Sequence, residues 1–304
     1  MNKTSQLYLP VLLVIIATIM WFTFRQAIDI TTESQFKPDE NLIAEKPVRY
    51  FGVVSRYTPR EIYRGYQPIM DYLTENTPFR FELKLSESYK GTVHQLGTGE
   101  ISIASLGSFI YVTMKDEYNL EVILKPLTQD GNNVYQSMFI TQDTSTIQRL
   151  TDLKGKSVVF PSKESLTGQW MPTIIYNETN LESNDLKKMA FVSHHTTVAA
   201  KVLSGEYDAG VVKAVVAKAY RDKGLRIFHT SPPRPTIPLV VSAQTDSLTR
   251  QSIIDAFLKI NPQNYNTKLM LSEWDEELSY GFQKAMDSDY DPIRQILKSI
   301  NKIP

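Results

Sequence analysis

The chain has 304 residues, and its 33 Lys plus Arg balance 33 Asp plus Glu, so the formal net charge is zero. This length suffices for about two domains with a substantial core. The even charge excludes the basic excess of a nucleic-acid-binding protein, and any anion site must work through local donors instead of a long-range positive field. Cysteine is absent, which excludes disulfides, thiolate catalysis, zinc–cysteine centres and a lipid-bearing N-terminal cysteine.

After a short tail (1–6), residues 7–24 carry no charge. As a helix they would span roughly 27 Å, close to the hydrocarbon thickness of a bilayer. This predicts a transmembrane anchor over 7–25, with a cleaved signal as the alternative. Arg25 fits a cleavage site poorly, because it would stand three positions before a cut after Ala27. Residues 26–46 are polar and read as a tether.

The body then alternates strand and helix. Residues 48–54 read as a strand and 60–76 as an amphipathic helix with Ile62, Tyr66, Ile69, Met70 and Leu73 inward. Residues 79–85 alternate as a strand, 90–97 read as a helix, 101–106 as a strand and 108–119 as a helix. This order implies a mostly parallel sheet with helices on both faces, and such sheets bind ligands beyond the carboxyl ends of their strands. Tyr89 lies just past such an end.

Strands follow at 122–124 and 135–141, and the polar run 143–150 reads as a helix. Residues 158–160 (Val-Val-Phe) form a strand that runs into the polar turn Pro161 to Gly168. A helix continues through residues 170–176. Ser165 and Thr167 stand where helix caps stand, and a helix leading end with free N–H groups can receive an anion. Either role, plain cap or oxyanion cradle, is open at this point. Further strands are read at 189–192, 209–212 and 236–242, with a helix at 196–203. Closing helices are expected at 250–259, 273–284 and 292–302. The expected architecture is α/β with two lobes joined by two crossing strands. Lobe 1 comprises 47–137 and 240–304, and lobe 2 comprises 138–239.

Several motifs share one order along the chain: Ser165-Leu166-Thr167-Gly168 with Pro172, Ser193-His194, Gly205-Glu206-Tyr207-Asp208-Ala209-Gly210, and Ser231-Pro232-Pro233-Arg234-Pro235. Tyr89 and Tyr135 stand at matching positions. In these residues the chain resembles the phosphonate, phosphite and phosphate periplasmic binding proteins of ABC transporters, the PhnD-like group, from about Pro47 to about Ser242. The resemblance implies a two-lobed periplasmic binding protein fold and a non-catalytic role without cofactor. A small phosphorus oxyanion would be held by Ser165, Leu166 (through its N–H), Thr167, Tyr89, Tyr135 and His194. It further implies an ABC permease as partner and a periplasmic location, on the membrane face if residues 7–25 stay attached. A membrane-tethered sensor acting through a partner protein is the alternative.

Three departures stand out. Leu166 replaces a threonine, so one hydroxyl is missing, and His195 replaces an acid. Val215 and Ile237 align where carboxylates would meet a ligand amine, which favours phosphite, phosphate or a short alkylphosphonate. Ser165, His194 and Asp208 lack the Gly-x-Ser-x-Gly elbow of a hydrolase. His94, His194, His195 and His229 lack metal-ligand spacing, so no metal is expected.

Overall fold

The computed structural model describes Thr18, Met20, Trp21 and residues 46–300. The body begins at Pro47. No helix among the described residues is long and apolar enough to cross a membrane, and the expected anchor over 7–25 lies almost wholly outside those residues.

The first half of the body is built from β1 (Val48–Val53), α1 (Pro59–Asn76), β2 (Arg80–Leu85), α2 (Tyr89–Gly97), β3 (Ile103–Ser105), α3 (Ser108–Tyr118) and β4 (Leu120–Pro126). Helix α1 starts where it does because Thr58 and Glu61 form a reciprocal capping box, with Pro59 in the first turn. Its buried face carries Ile62, Tyr66, Ile69, Met70 and Leu73, the residues that the helical period selects. Strand β1 pairs in parallel with both β2 and β3, and Phe51 and Val53 are fully buried in one cluster with Ile62, Tyr66 and Ile69 of α1.

The chain crosses over through β5 (Val134–Tyr135) into β6 (Ser137–Gln142), and continues with β7 (Ser157–Phe160), α4 (Leu166–Thr179), β8 (Lys188–Phe191), α5 (His195–Leu203), β9 (Ala209–Lys213), α6 (Ala214–Arg221) and β10 (Leu225–Thr230). It returns through β11 (Arg234–Pro235) to β12 (Leu239–Ser242), then α7 (Ser247–Leu258), α8 (Tyr265–Leu271), β13 (Phe282–Lys284) and α9 (Asp291–Ile300). One six-stranded sheet runs in the order β13-β4-β12-β3-β1-β2, and a five-stranded sheet runs β10-β6-β9-β7-β8. The outward and return crossings pair with each other as a two-stranded ladder, Tyr135 opposite Arg234. Each sheet makes one lobe of a two-lobed α/β molecule, with the crossings as the natural hinge.

Asp208 serves the framework of the second lobe from its surface. Its carboxylate accepts from the Ser157 amide at 2.7 Å and the Ser157 hydroxyl at 2.6 Å, tying the start of β7 to the turn before β9.

Two expected helices are corrected. Residues 143–150 form turns and extended chain, followed by a 3₁₀ turn at Leu150–Leu153. The Asp152 carboxylate takes the amides of Gln148 and Arg149, a side-chain alternative to helical bonding. Residues 273–284 are a 3₁₀ turn at Glu276–Leu278 followed by β13. There the Asp275 carboxylate caps the Glu277 amide, and the Asp275 amide donates to the Gly65 carbonyl of α1. The sequence reading did not anticipate α6, β10 or α8. It also merged Tyr135 into the strand now seen as β6.

Gly281 has φ +90°, a conformation that an L side chain adopts only at a cost of roughly 1–2 kcal/mol. Gly281→Ala is therefore expected to lower unfolding stability by about that amount in chemical denaturation. Within a helix the same change would be stabilising.

Candidate functional site

Both sheets send the carboxyl ends of parallel strands toward the seam between the lobes. In the first lobe, Arg56 follows β1, Tyr89 opens α2 after β2, and Ser105 ends β3. In the second, α4 opens after β7, His194 and His195 precede and open α5, and Lys213 ends β9. Tyr135 lies on the crossing itself.

Ser165 is the N-cap of α4. Its hydroxyl accepts from the Gly168 amide at 3.0 Å and donates to the Ser162 carbonyl at 2.8 Å. The hydroxyl proton is thus committed within the turn. Gly168 allows the turn to close: a Cβ there would lie 2.1 Å from the Ser162 carbonyl oxygen. The Gln169 amide bonds back to the Ser165 carbonyl, which leaves the amides of Leu166 and Thr167 at the helix's leading end, where no intrahelical acceptor exists. The Thr167 hydroxyl meets that of Ser137 at 2.9 Å, linking this end to the outward crossing. The Leu166 side chain is buried among the apolar residues of the fold.

Glu164, just before the cap, accepts from the Tyr89 amide across the seam at 3.1 Å. Burial pushes the phenols of Tyr89 and Tyr135 well above their ordinary range. Both remain protonated donors at any physiological pH, and both sense Arg56 and Glu277. His194 closes the opposite side, its Nδ1 lying 3.0 Å from the Ser55 carbonyl oxygen. Tyr89 and His194 therefore lie along the seam, Tyr135 stands on the crossing with the Lys213 ammonium 4.9 Å from its ring, and Thr167 reaches that crossing through Ser137.

The sequence reading missed a buried charge cluster at the centre of the seam. Arg56 is 2% exposed. Its guanidinium donates to the hydroxyls of Tyr66 and Ser105 and sits 3.1 Å from one Glu277 oxygen and 3.8 Å from Asp275. The other Glu277 oxygen accepts from the Lys213 ammonium at 2.6 Å. Burial alone would push the Glu277 carboxyl up, but Lys213 and Arg56 more than reverse this and hold it below the usual carboxylate range. Burial pulls the Lys213 ammonium down, partly offset by Glu277. The two partners shift in senses that disagree about the charged pair. The short contact and the second cation on Glu277 decide for ionised groups.

His195 is 1% exposed. Its Nδ1 accepts from the Lys213 amide at 3.3 Å, and burial together with the Lys213 charge lowers its pKa to about 3. The imidazole is therefore neutral at pH 7.

A cavity of about 420 Å³ opens beside this cluster. Its lining includes Tyr135, Lys213 and Glu277, the apolar Val134, Val215 and Ile237, and the acidic Asp130 and Glu276. Of the six residues singled out from sequence, only Tyr135 lines it. No group of three or more His, Asp or Glu suited to a metal occurs among the described residues.

A family model described as "ABC transporter, phosphonate, periplasmic substrate-binding protein" matches residues 51–290. The chain is similar to the phosphonates-binding periplasmic protein of Escherichia coli K12, at 22% identity over 81% of this chain and 75% of that one. It is also similar to the phosphate-import protein PhnD of Mycolicibacterium smegmatis, at 25% identity over 76% of this chain and 79% of that one. In fold it resembles PhnD1 from Prochlorococcus marinus, solved in complex with methylphosphonate. That likeness has a TM-score of 0.72 and 19% identity, and covers 84% of this chain and 99% of that one.

Two outcomes follow from the site's construction. Ser165→Ala is expected to cost about 1 kcal/mol of stability through the lost cap, measurable by urea denaturation. The second outcome concerns pH. His195 folds with a pKa of about 3 but unfolds with one near 6.5, so below about pH 6.5 the unfolded state takes up a proton that the folded state refuses. Stability should then fall on acidification, by about 1 kcal/mol per pH unit between pH 6 and 5. His195→Gln should remove that component. Glu277 contributes only below about pH 4.5, so the window separates the two.

Proposed function

The chain belongs to the family of ABC-transporter phosphonate periplasmic substrate-binding proteins, and from that premise we propose that it captures a small phosphorus oxyanion between its lobes for uptake. What supports the reading is that the segment before α4 meets Tyr89, and His194 meets Ser55, across one inter-lobe seam, with Tyr135 on the crossing beside it. A tetrahedral oxyanion needs several donors from different directions, and neutral donors fixed on two lobes supply them with little net charge to desolvate.

In this reading the Leu166 and Thr167 amides and the two phenols hold phosphoryl oxygens. Ser165 and Gly168 shape the turn that presents those amides. Arg56 and Lys213 stand behind the donors, their charges matched by Glu277 and Asp275. The ligand is phosphite, phosphate or a short alkylphosphonate. Val215 and Ile237 offer an amine no acceptor, the carboxylates of Glu277 and Asp275 are already engaged by cations, and Asp130 is taken by Thr128 and Asn132, so Glu276 is the acid left on the cavity lining. Binding is non-catalytic, as the solute-binding family implies, and the Ser165 hydroxyl is spent on a cap and a carbonyl. The protein works in the periplasm with an ABC permease. The uncharged stretch over residues 7–24 supports an anchored form, with a cleaved form as the alternative.

The reading is tested on the full-length chain by thermal shift and calorimetric titration with phosphite, inorganic phosphate and methylphosphonate. A ligand at a hundred times its dissociation constant should add about 2.7 kcal/mol of stability, a rise of several degrees. Tyr89→Phe should weaken binding about tenfold, the loss expected for one hydrogen bond to a charged group. No response to any of the three anions would overturn the proposal.

A further inference from the structure

Lys213 and Arg56 stand on opposite lobes, one ending β9 and the other following β1, yet both converge on one carboxylate. Glu277 reaches them from the turn before β13, with 2.6 Å to Lys213 Nζ and 3.1 Å to Arg56 Nε. The three side chains are 9%, 2% and 13% exposed. A carboxylate held by a cation from each lobe occupies the position that a ligand oxyanion would take in bridging them.

The charge count points the same way. Arg56 and Lys213 are matched by Glu277 and Asp275, so the cluster presents no net charge to an entering dianion. Arg56 Nε and Glu277 Oε2 have only each other, at 3.1 Å, and His195 Nε2 is buried without a hydrogen-bond partner. A polar atom in that last condition awaits a partner or tolerates a costly interior. The cavity beside Lys213 shows that the bridge is reachable from outside, since Glu277 and Lys213 both line it.

We propose that Glu277 is a built-in anionic occupant of the cleft, bridging Arg56 and Lys213 to hold the lobes together without ligand, and that an incoming oxyanion must displace it. The part concerning displacement rests on the function proposed above; the part concerning closure does not. A purely structural ion pair would make Glu277 neutral or helpful to ligand binding. A competitor makes it inhibitory, because the ligand gains Lys213 and Arg56 only by releasing them from Glu277.

The test compares the full-length chain with Glu277→Gln and Lys213→Met. The chain has no cysteine, so Glu117→Cys and Lys163→Cys, exposed positions on the two sides of a groove, would carry the only spin labels. Without ligand, Glu277→Gln should lengthen and broaden the electron–electron distance distribution, and Lys213→Met should do the same. In calorimetric titration with inorganic phosphate and methylphosphonate, Glu277→Gln should bind at least tenfold tighter than the unmodified chain, while Lys213→Met should bind more weakly. Equal or weaker anion binding by Glu277→Gln, in a protein whose unmodified form binds, overturns displacement. Ligand-free distances unchanged in both variants overturn closure. Should no form bind either anion, the proposed function and displacement fall together, and the distances still decide closure. If Glu277→Gln does not fold, Lys213→Met carries the distance measurement, and Glu277→Asp, whose shorter reach weakens the bridge, carries the titration with the same expected sign.

Discussion

Taking two cations and two carboxylates out of water between two lobes is tolerable only if each finds an opposite charge at close range. Arg56, Lys213, Glu277 and Asp275 meet that condition with contacts of 2.6 to 3.8 Å, and much of the surrounding construction serves it. Tyr66 and Ser105 take the remaining guanidinium donors. The Asp275 amide anchors the acidic turn to α1 through Gly65. His195 sits neutral against the Lys213 backbone, so it adds no third cation to a cluster already in balance. Buried pairs of this kind contribute modest net stability, but breaking one leaves a charge uncompensated. Their consequence is positional: they fix which ends of the two lobes must face each other.

The proposed recognition groups are of another kind. Phenols and backbone amides donate without carrying charge, and burial keeps Tyr89 and Tyr135 in the donor form. Combining them with a balanced ionic cluster lets the seam bury polar atoms in the absence of ligand and still offer donors when one arrives. The closed arrangement has its own polar ties. The Glu164 carboxylate holds the Tyr89 amide, and His194 meets the Ser55 carbonyl. Both join groups from opposite lobes, so opening the cleft must exchange them for water.

The alternation of strand and helix was readable because each element satisfies a local rule. The capping box of α1, the apolar run of β7 and the Ser165 cap lie within a few residues of the elements they start. Arg56, Lys213 and Glu277 were invisible to the same rules. Each is a charged residue in a turn or at a strand end, which reads as solvent-exposed, and their partners lie far away in sequence. One signal was available. Arg56 and Lys213 both fall at the carboxyl ends of strands that parallel-sheet logic marks as ligand-facing. Glu277 offered no such mark, because residues 273–284 were read as helical. The turn exists through tertiary bonds to Gly65 and through Gly281, neither of which a periodicity argument weighs.

Leu166 illustrates why a missing hydroxyl need not cost a binding protein its ligand. Its side chain lies buried in the apolar core, while its amide stays at the start of α4. The neighbouring Ser165 hydroxyl, present as expected, is consumed by the Gly168 amide and the Ser162 carbonyl. On the proposed function, the chemistry offered to an anion at this end comes from the backbone, and the Ser165 and Leu166 side chains act by fixing where the backbone points. A helix end whose first amides are free needs only a turn that holds them still. Gly168 supplies that by letting two carbonyls approach where a methyl group could not fit.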